Sequence, residues 1–127
     1  MVIVALQGLL MAGCKEGPKP DDVAGQTALL YYEQLLQGKY GDFVDAFHRA
    51  DSIPESYRQQ LIDNAKMFIA QQREEHLGID SVRLVRAQAD TARHAANAYL
   101  MLCFKDSTRE EIVVPLVEHH GVWMMKH

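Results

Sequence analysis

The spacing of apolar residues along this chain changes once, close to Gly78. Between Asp22 and Gly78 apolar residues recur every three or four positions, which is typical of amphipathic helices. From Ile79 onward they recur about every second position, which is typical of β-strands. This order predicts an α+β domain with helices packed on one face of an antiparallel sheet.

Three helices are predicted before the change of period. The first begins near Asp22, a candidate N-cap, and ends at Gly38. A short second helix follows Tyr40. The third starts at residues 52–55, which read Ser-Ile-Pro-Glu as a capping box does, and ends at Gly78. It is the longest of the three and amphipathic.

Four strands are predicted after the change, over residues 79–87, 93–104, 110–118 and 122–126. Their short connections favour an antiparallel meander. Pro115 removes one backbone donor from the third strand, so we expect a bulge or an unpaired side there.

The longest apolar run of the folded part covers residues 95–104. Both alternating faces of this strand are apolar, which predicts that both are covered. Helices would cover one face, and the other would line a pocket or form a homodimer surface. Cys103 within it is interpreted as a small buried hydrophobe with no disulfide to Cys14.

The N-terminal residues 1–13 are apolar and uncharged, too short to span a bilayer but typical of a signal peptide. The ending Leu-Met-Ala-Gly before Cys14 resembles a bacterial lipoprotein signal, in which lipid is attached to the Cys. Residues 14–22 read as a flexible polar tether and residues 23–127 as the domain. Met11 departs from the usual Leu, and a basic segment is missing, which leaves room for a start upstream of Met1.

The resemblance implies that a lipid on Cys14 anchors the protein to a bacterial membrane, with the domain in the periplasm or at the cell surface. The alternative is a buried N-terminal element with an incidental cysteine. A length of 127 residues fits one domain. The net charge of −4, with no basic stripe, argues against a nucleic-acid partner.

Several short motifs carry a wider resemblance: Tyr31-Tyr32-Glu33 with Gly38-Lys39-Tyr40, then residues 113–117 and Gly121-Val122-Trp123. With the order of elements, they make the chain similar to the nuclear transport factor 2-like (NTF2-like) cone fold. More narrowly, the chain resembles small bacterial lipoproteins whose domain has no assigned function. The resemblance implies a curved four-stranded antiparallel sheet around the third helix, with a cavity at the open end.

Pocket enzymes of this fold need an acid or base inside the cone. Asp80, Glu110 and Glu118 lie at the predicted strand ends, and a hydroxyl of Tyr31 or Tyr32 would lack a partner carboxylate. No catalytic residue is therefore predicted. A pocket enzyme of the ketosteroid isomerase or polyketide cyclase type remains the alternative.

Six histidines raise the question of a metal. His119 and His120 are adjacent and would point to opposite faces of a strand, and the others lack partners at ligand spacing. The alternative is that His119 or His120 pairs with His127 across a hairpin. Neither a metal nor a cofactor is predicted.

Aromatic and methionine side chains suggest either a pocket lining or an ordinary core. The predicted ligand-binding residues are Tyr31, Phe47, Phe68, Tyr99, Met101 and Trp123. The function that follows is a membrane-anchored, non-catalytic lipoprotein domain that binds a small apolar ligand or a protein partner. A purely structural subunit that forms homodimers is a further alternative.

Overall fold

The structure is a computed structural model that describes residues 17–127. Its three α-helices are α1 (Pro20–Leu36), α2 (Tyr40–Asp45) and α3 (Glu55–His76). Its strands are β1 (Phe47–His48), β2 (Ile79–Asp90), β3 (Ala95–Phe104), β4 (Arg109–His119) and β5 (Val122–Lys126). The α+β order predicted from the change of period is confirmed.

The strands form one mixed sheet in the order β1-β5-β4-β3-β2. β2 to β5 are antiparallel neighbours, while β1 pairs with β5 in parallel. The prediction of four antiparallel strands is therefore wrong in number and in kind. A strand of two residues carries no alternating pattern, and β1 is placed only by its pairing and by the N–H of Met125, which donates to the Ala46 carbonyl at 2.9 Å.

Helix α1 is the one that packs along the sheet. Ala24 and Ala28 are fully buried in the same cluster as Ala98 and Leu100 of β3. At Gly25 an added Cβ would lie 2.9 Å from Leu84 Cδ2 and 3.0 Å from the Ala87 Cβ on β2. Small residues thus let this helix approach the strands closely.

Helix α3 has a different position from the one that the resemblance implied. Ala65 is its only buried residue, and its main contacts are with α2 and β2. Its apolar stripe is half-buried (Leu61, Ile62, Phe68 and Ile69). The sheet therefore packs mainly on α1, whereas α3 packs on α2 and on β2. The expected capping box does not form, because the N-cap is Pro54 and no side chain caps the helix.

The first helix begins at Pro20, with Lys19 as N-cap, and not at Asp22. Asp21, expected in the tether, accepts the N–H of Ala89 on edge strand β2 at 2.7 Å. The predicted signal peptide and Cys14 lie outside the described residues. Within residues 17–127 no helix has the length and apolar character needed to cross a membrane.

Strand β3 is covered on one face only within this chain. Its residues alternate between burial against the helices and partial exposure on the opposite side, which we call the outer face. Leu100 and Leu102 are buried, whereas Tyr99, Met101 and Cys103 lie half-buried on the outer face. The expectation that both faces are covered, and that Cys103 is buried, is not met in the single chain.

Pro115 lies within β4 without a bulge. It pairs with Asn97 in a β3–β4 register that is continuous from Ala95 to Cys103. The Glu118 N–H donates to the His94 carbonyl, so His94 and Glu118 form a hydrogen-bonded pair. Hydrogen-bonded and non-hydrogen-bonded pairs alternate along an antiparallel ladder. Asn97 and Pro115, three positions further along, are therefore a non-hydrogen-bonded pair. The missing donor faces β5, whose pairing with β4 begins one residue later at Leu116. The unpaired side expected at this proline is confirmed.

Candidate functional site

An apolar cleft of about 270 Å³ opens where α2, β1 and α3 meet the C-terminus. Five of its eight lining residues are apolar, and three are polar. The apolar lining residues are Phe43, Val44, Phe47, Leu61 and Ala65, and the polar ones are Arg49, Asn64 and His127. A concave apolar site with a few polar groups is the usual form of a small-molecule site.

Aromatic rings stack edge to face along one wall of the cleft. The ring centroid of Phe43 lies 5.3 Å from that of Tyr32 and 5.4 Å from that of Phe47, at interplanar angles of 82° and 84°. Such T-shaped pairs are favoured by the ring quadrupoles. Burial of the Tyr32 side chain raises its pKa, so its hydroxyl stays protonated. The aromatic wall is therefore uncharged.

Arg49 brings a permanently charged side chain to the cleft. Its Nη1 donates to the Val44 carbonyl at 3.1 Å and to the Phe47 carbonyl at 3.5 Å. Its guanidinium carbon lies 5.7 Å from the centroid of the Phe47 ring. These hydrogen bonds involve one nitrogen, and guanidinium carries five N–H donors. The remaining donors suit the carboxylate of a bound molecule.

The six predicted ligand-binding residues fall in three places. Phe47 lines the cleft. Trp123 belongs to the buried core, and Tyr31 on α1 and Phe68 on α3 are half-buried and pack against it. Tyr99 and Met101 lie on the outer face of the sheet, away from the cleft. The structure therefore does not bring the six together. The predicted set lacks the other seven lining residues of the cleft, which are Phe43, Val44, Arg49, Leu61, Asn64, Ala65 and His127. Helical spacing marked Leu61 as apolar, but only the position of α3 places it there.

The Tyr31 hydroxyl donates to the Trp123 carbonyl at 2.6 Å. Its pKa is raised by burial, so it is a poor proton donor at neutral pH. Among residues 17–127 no buried residue is polar or charged. The tyrosine considered as a catalytic hydroxyl thus serves to connect α1 to β5.

Three histidines gather at one end of the sheet, a feature that sequence reasoning did not foresee. The His119 ring centroid lies 4.7 Å from that of His48 and 4.1 Å from that of His120. The expectation that His119 and His120 point apart is wrong, because His120 has a left-handed φ of 51° in the β4–β5 turn. We call these three residues the histidine cluster. In the described part of the chain, no three His, Cys, Asp or Glu side chains are arranged to hold a metal ion.

The histidine cluster predicts a pH dependence of stability. Desolvation, then the charges of His120 and His48, lower the pKa of His119 below 6.5. As the pH falls below 6.5, His119 therefore binds protons in the unfolded chain before it does so in the folded chain. The free energy of unfolding decreases over this range, until the pH passes the lowered pKa of the folded chain.

We expect the midpoint of urea unfolding to move to a lower urea concentration between pH 7.5 and pH 5.5, and to move less in His119→Gln. His127→Gln, which removes one histidine outside the cluster, should keep the full decline; equal slopes in both variants would contradict the prediction.

A second polar group joins the end of α3 to the β3–β4 turn. His76 Nδ1 lies 2.9 Å from Asp106 Oδ2, and the His76 ring stacks on Phe104 at 4.2 Å. Hydrogen bonds from the Thr108 hydroxyl and N–H, followed by the contact with His76, lower the pKa of Asp106 to about 2. The contacts all lie within the turn and helix end, so we interpret this group as structural.

Comparison with known proteins places the fold and leaves function open. No protein-family model and no curated protein matches this chain. A Campylobacter jejuni structure described as an NTF2-like transpeptidase superposes on this chain with a TM-score of 0.63 and 12% sequence identity. The superposition covers 79% of this chain and 94% of the Campylobacter jejuni chain. Aln2 from a Streptomyces species gives a TM-score of 0.46 at 11% identity, covering 85% and 88%. At such identities the likeness is one of fold: this chain has the NTF2-like fold.

Proposed function

We propose that this chain is a membrane-anchored, non-catalytic lipoprotein domain whose cleft binds a small apolar ligand. The observation that carries the proposal is the apolar lining of the cleft, with Phe43 and Phe47 on one wall and Leu61 on the other. Burial of a ligand there removes apolar surface from water, which favours binding by about 25 cal/mol per Å². A volume of about 270 Å³ suits a short acyl chain or a single ring better than a larger molecule.

Arg49 narrows the ligand class to apolar molecules with an acidic head. Its guanidinium lies at the cleft and makes hydrogen bonds to backbone carbonyls through Nη1 alone. In the described residues it takes part in no salt bridge. The nearby Asp45 carboxylate has its pKa lowered first by hydrogen bonds from Arg58 and also by the charge of Arg49, but it makes no hydrogen bond to Arg49. A carboxylate on the ligand would accept from the free donors of Arg49, while its hydrocarbon part contacts the aromatic wall.

The membrane anchor in this proposal is the lipid on Cys14, and its support is the sequence alone. Because α1 begins at Pro20, only five residues separate it from Cys14. Six residue steps reach at most about 22 Å. The domain would then lie close to the bilayer, which contains acyl chains and their breakdown products.

The pocket-enzyme alternative has less support. The Tyr31 hydroxyl is bonded to a backbone carbonyl, and among the described residues no Asp or Glu lines the cleft. The word transpeptidase in the description of the Campylobacter jejuni structure concerns that protein, and the likeness at 12% identity is of fold. Binding is therefore the better proposal.

Calorimetric titration with octanoate and octanol tests the proposal. We expect the chain to bind both, with a negative heat-capacity change from apolar burial. Leu61→Gln should weaken both by about tenfold, which corresponds to about 1.4 kcal/mol. Arg49→Gln should weaken octanoate and leave octanol nearly unchanged.

The matched control is Val113→Gln, which makes a similar change on the exposed outer face. It should bind both ligands as the unchanged chain does. Absence of binding, or an equal loss in Val113→Gln and Leu61→Gln at unchanged melting temperature, would overturn the cleft as the site.

A further inference from the structure

A second cavity, of about 340 Å³, opens at the end of the sheet beside the β3–β4 turn. It shares no lining residue with the cleft. Its lining is mostly polar and contains no carboxylate. The lining residues are Ser81, Arg83, Cys103, Phe104, Ser107, Thr108 and Arg109. A polar cavity that holds two arginines and no acidic residue offers hydrogen-bond donors to an anion.

Three neighbouring strands place the two arginines on either side of Cys103. The register sets Ser81 of β2, Cys103 of β3 and Arg109 of β4 in one row across the sheet. Arg83 lies two residues further along β2, on the same face as Ser81. The Cα atoms of Arg83 and Arg109 are then about 9.6 Å apart across the strands and about 6.6 Å apart along them. Both arginines line the one cavity, so a single bound anion can contact the two of them.

The two arginines have no anionic partner among the residues that the structure describes. Neither Arg83 nor Arg109 takes part in a salt bridge within residues 17–127. Glu111, two residues after Arg109 on β4, is the acidic residue beside them on this face, and it does not line the cavity. The cavity therefore holds two positive charges that no carboxylate in this part of the chain contacts.

Hydroxyl groups complete the donor set of the cavity. In the described residues no side-chain hydrogen bond involves Ser81 or Ser107. The Thr108 hydroxyl is already committed, because it donates to Asp106 Oδ1 at 2.5 Å. The other oxygen of Asp106 contacts His76, so this carboxylate is held within the turn. Two guanidinium groups and two serine hydroxyls remain for a ligand.

We propose that this cavity binds a phosphate monoester, either a free small molecule or the headgroup of a lipid. A phosphate monoester carries a charge of about −1.5 to −2 near neutral pH and has three strong acceptor oxygens. Two arginines match that charge, and the planar guanidinium group pairs with phosphate oxygens through two parallel hydrogen bonds. A carboxylate has one charge and two oxygens, so it would leave one arginine without a partner.

Amide NMR titration of the full chain, held in neutral detergent, with glycerol 3-phosphate tests the site. We expect saturable shifts centred on Ser81, Cys103 and Ser107. Arg83→Gln and Arg109→Gln should each raise the dissociation constant by about tenfold, because each removes a charge-assisted pair. Arg93→Gln removes the same charge from an exposed side chain in the β2–β3 connection, at the opposite end of the sheet, and should have little effect.

Phosphatidate in the micelles distinguishes the two sources of the phosphate. A lipid headgroup that reaches the cavity competes with glycerol 3-phosphate and raises its apparent dissociation constant. Micelles with the same fraction of phosphatidylglycerol, which is a phosphate diester, are the control for charge. An equal constant in the two kinds of micelle would assign the site to a free ester.

Absence of saturable shifts at Ser81, Cys103 and Ser107 would overturn the proposal. An equal loss of affinity in Arg93→Gln and Arg109→Gln, at unchanged melting temperature, would also overturn it, because the attraction would then depend only on net charge. Leu61→Gln in the cleft should leave the binding of glycerol 3-phosphate unchanged, so this outcome is separate from that of the octanoate titration.

Discussion

Replacing Leu100 with alanine is expected to lower the free energy of unfolding by about 3 to 4 kcal/mol, the usual cost of a fully buried leucine. Leu100 is 0% exposed at the centre of β3, in the cluster formed with Ala24, Ala28 and Leu116. The loss combines the lost transfer energy of the side chain with a cavity that close-packed neighbours fill only in part. Urea denaturation followed by circular dichroism measures it.

The neighbouring Met101 provides the control on the same strand. It faces the outer side and is only half-buried, so Met101→Ala should cost about 1 kcal/mol or less. A comparable loss in the two variants would mean that both faces of β3 are covered within one chain. That result would contradict the described fold.

Substitution of Cys14 by serine is expected to release the protein from the membrane fraction. In the proposed lipoprotein the anchoring energy comes from acyl chains, at about 0.8 kcal/mol per buried CH₂. Serine lacks the thiol that carries the lipid, so incorporation of an alkyne-labelled palmitate should also disappear. Fractionation of cells, followed by detection of the label, gives both readings.

Cys103→Ser is the matched control, because it makes the same change at the other cysteine of the chain. Cys103 is a free, half-buried thiol on the outer face, and its variant should remain labelled and membrane-bound. Retention of Cys14→Ser in the membrane fraction with its label intact would exclude Cys14 as the anchor.

The periodicity of the sequence was enough for the fold class and for the positions of most elements. The change from helical to alternating spacing at Gly78 corresponds to the end of α3 and the start of β2. Turn residues predicted the β3–β4 and β4–β5 connections. Pro115 predicted an unpaired side, and the pairing of β4 with β5 begins at the next residue, Leu116. These features depend on local chemistry, which a single sequence contains.

Features that depend on long-range pairing could not be predicted. The two-residue strand β1 has no pattern of its own, and its pairing with β5 is what brings His48 to His119. Both faces of β3 are apolar, so alternation could assign Leu100 and Met101 to opposite faces without telling which one is inside. Because of that ambiguity, the sequence pattern alone groups Tyr99 and Met101 with the pocket residues.

The cleft also depends on long-range packing, so the sequence predicted only part of its lining. Helical spacing identified Phe43, Phe47 and Leu61 as apolar, but the cleft exists because α3 packs against α2 and leaves a gap beside β1. Arg49 has no sequence signal, since its role depends on the carbonyls of Val44 and Phe47. The placement of helices, more than composition, decides where this domain offers a pocket.

The central claim is that the cleft beside β1 binds an apolar acid, and amide chemical-shift mapping by NMR with octanoate tests it most directly. We predict saturable shifts concentrated at Phe43, Phe47, Arg49 and Leu61, and lost in Leu61→Gln. Shifts concentrated at Tyr99 and Met101 on the outer face, or no shifts up to the solubility limit of octanoate, would contradict it.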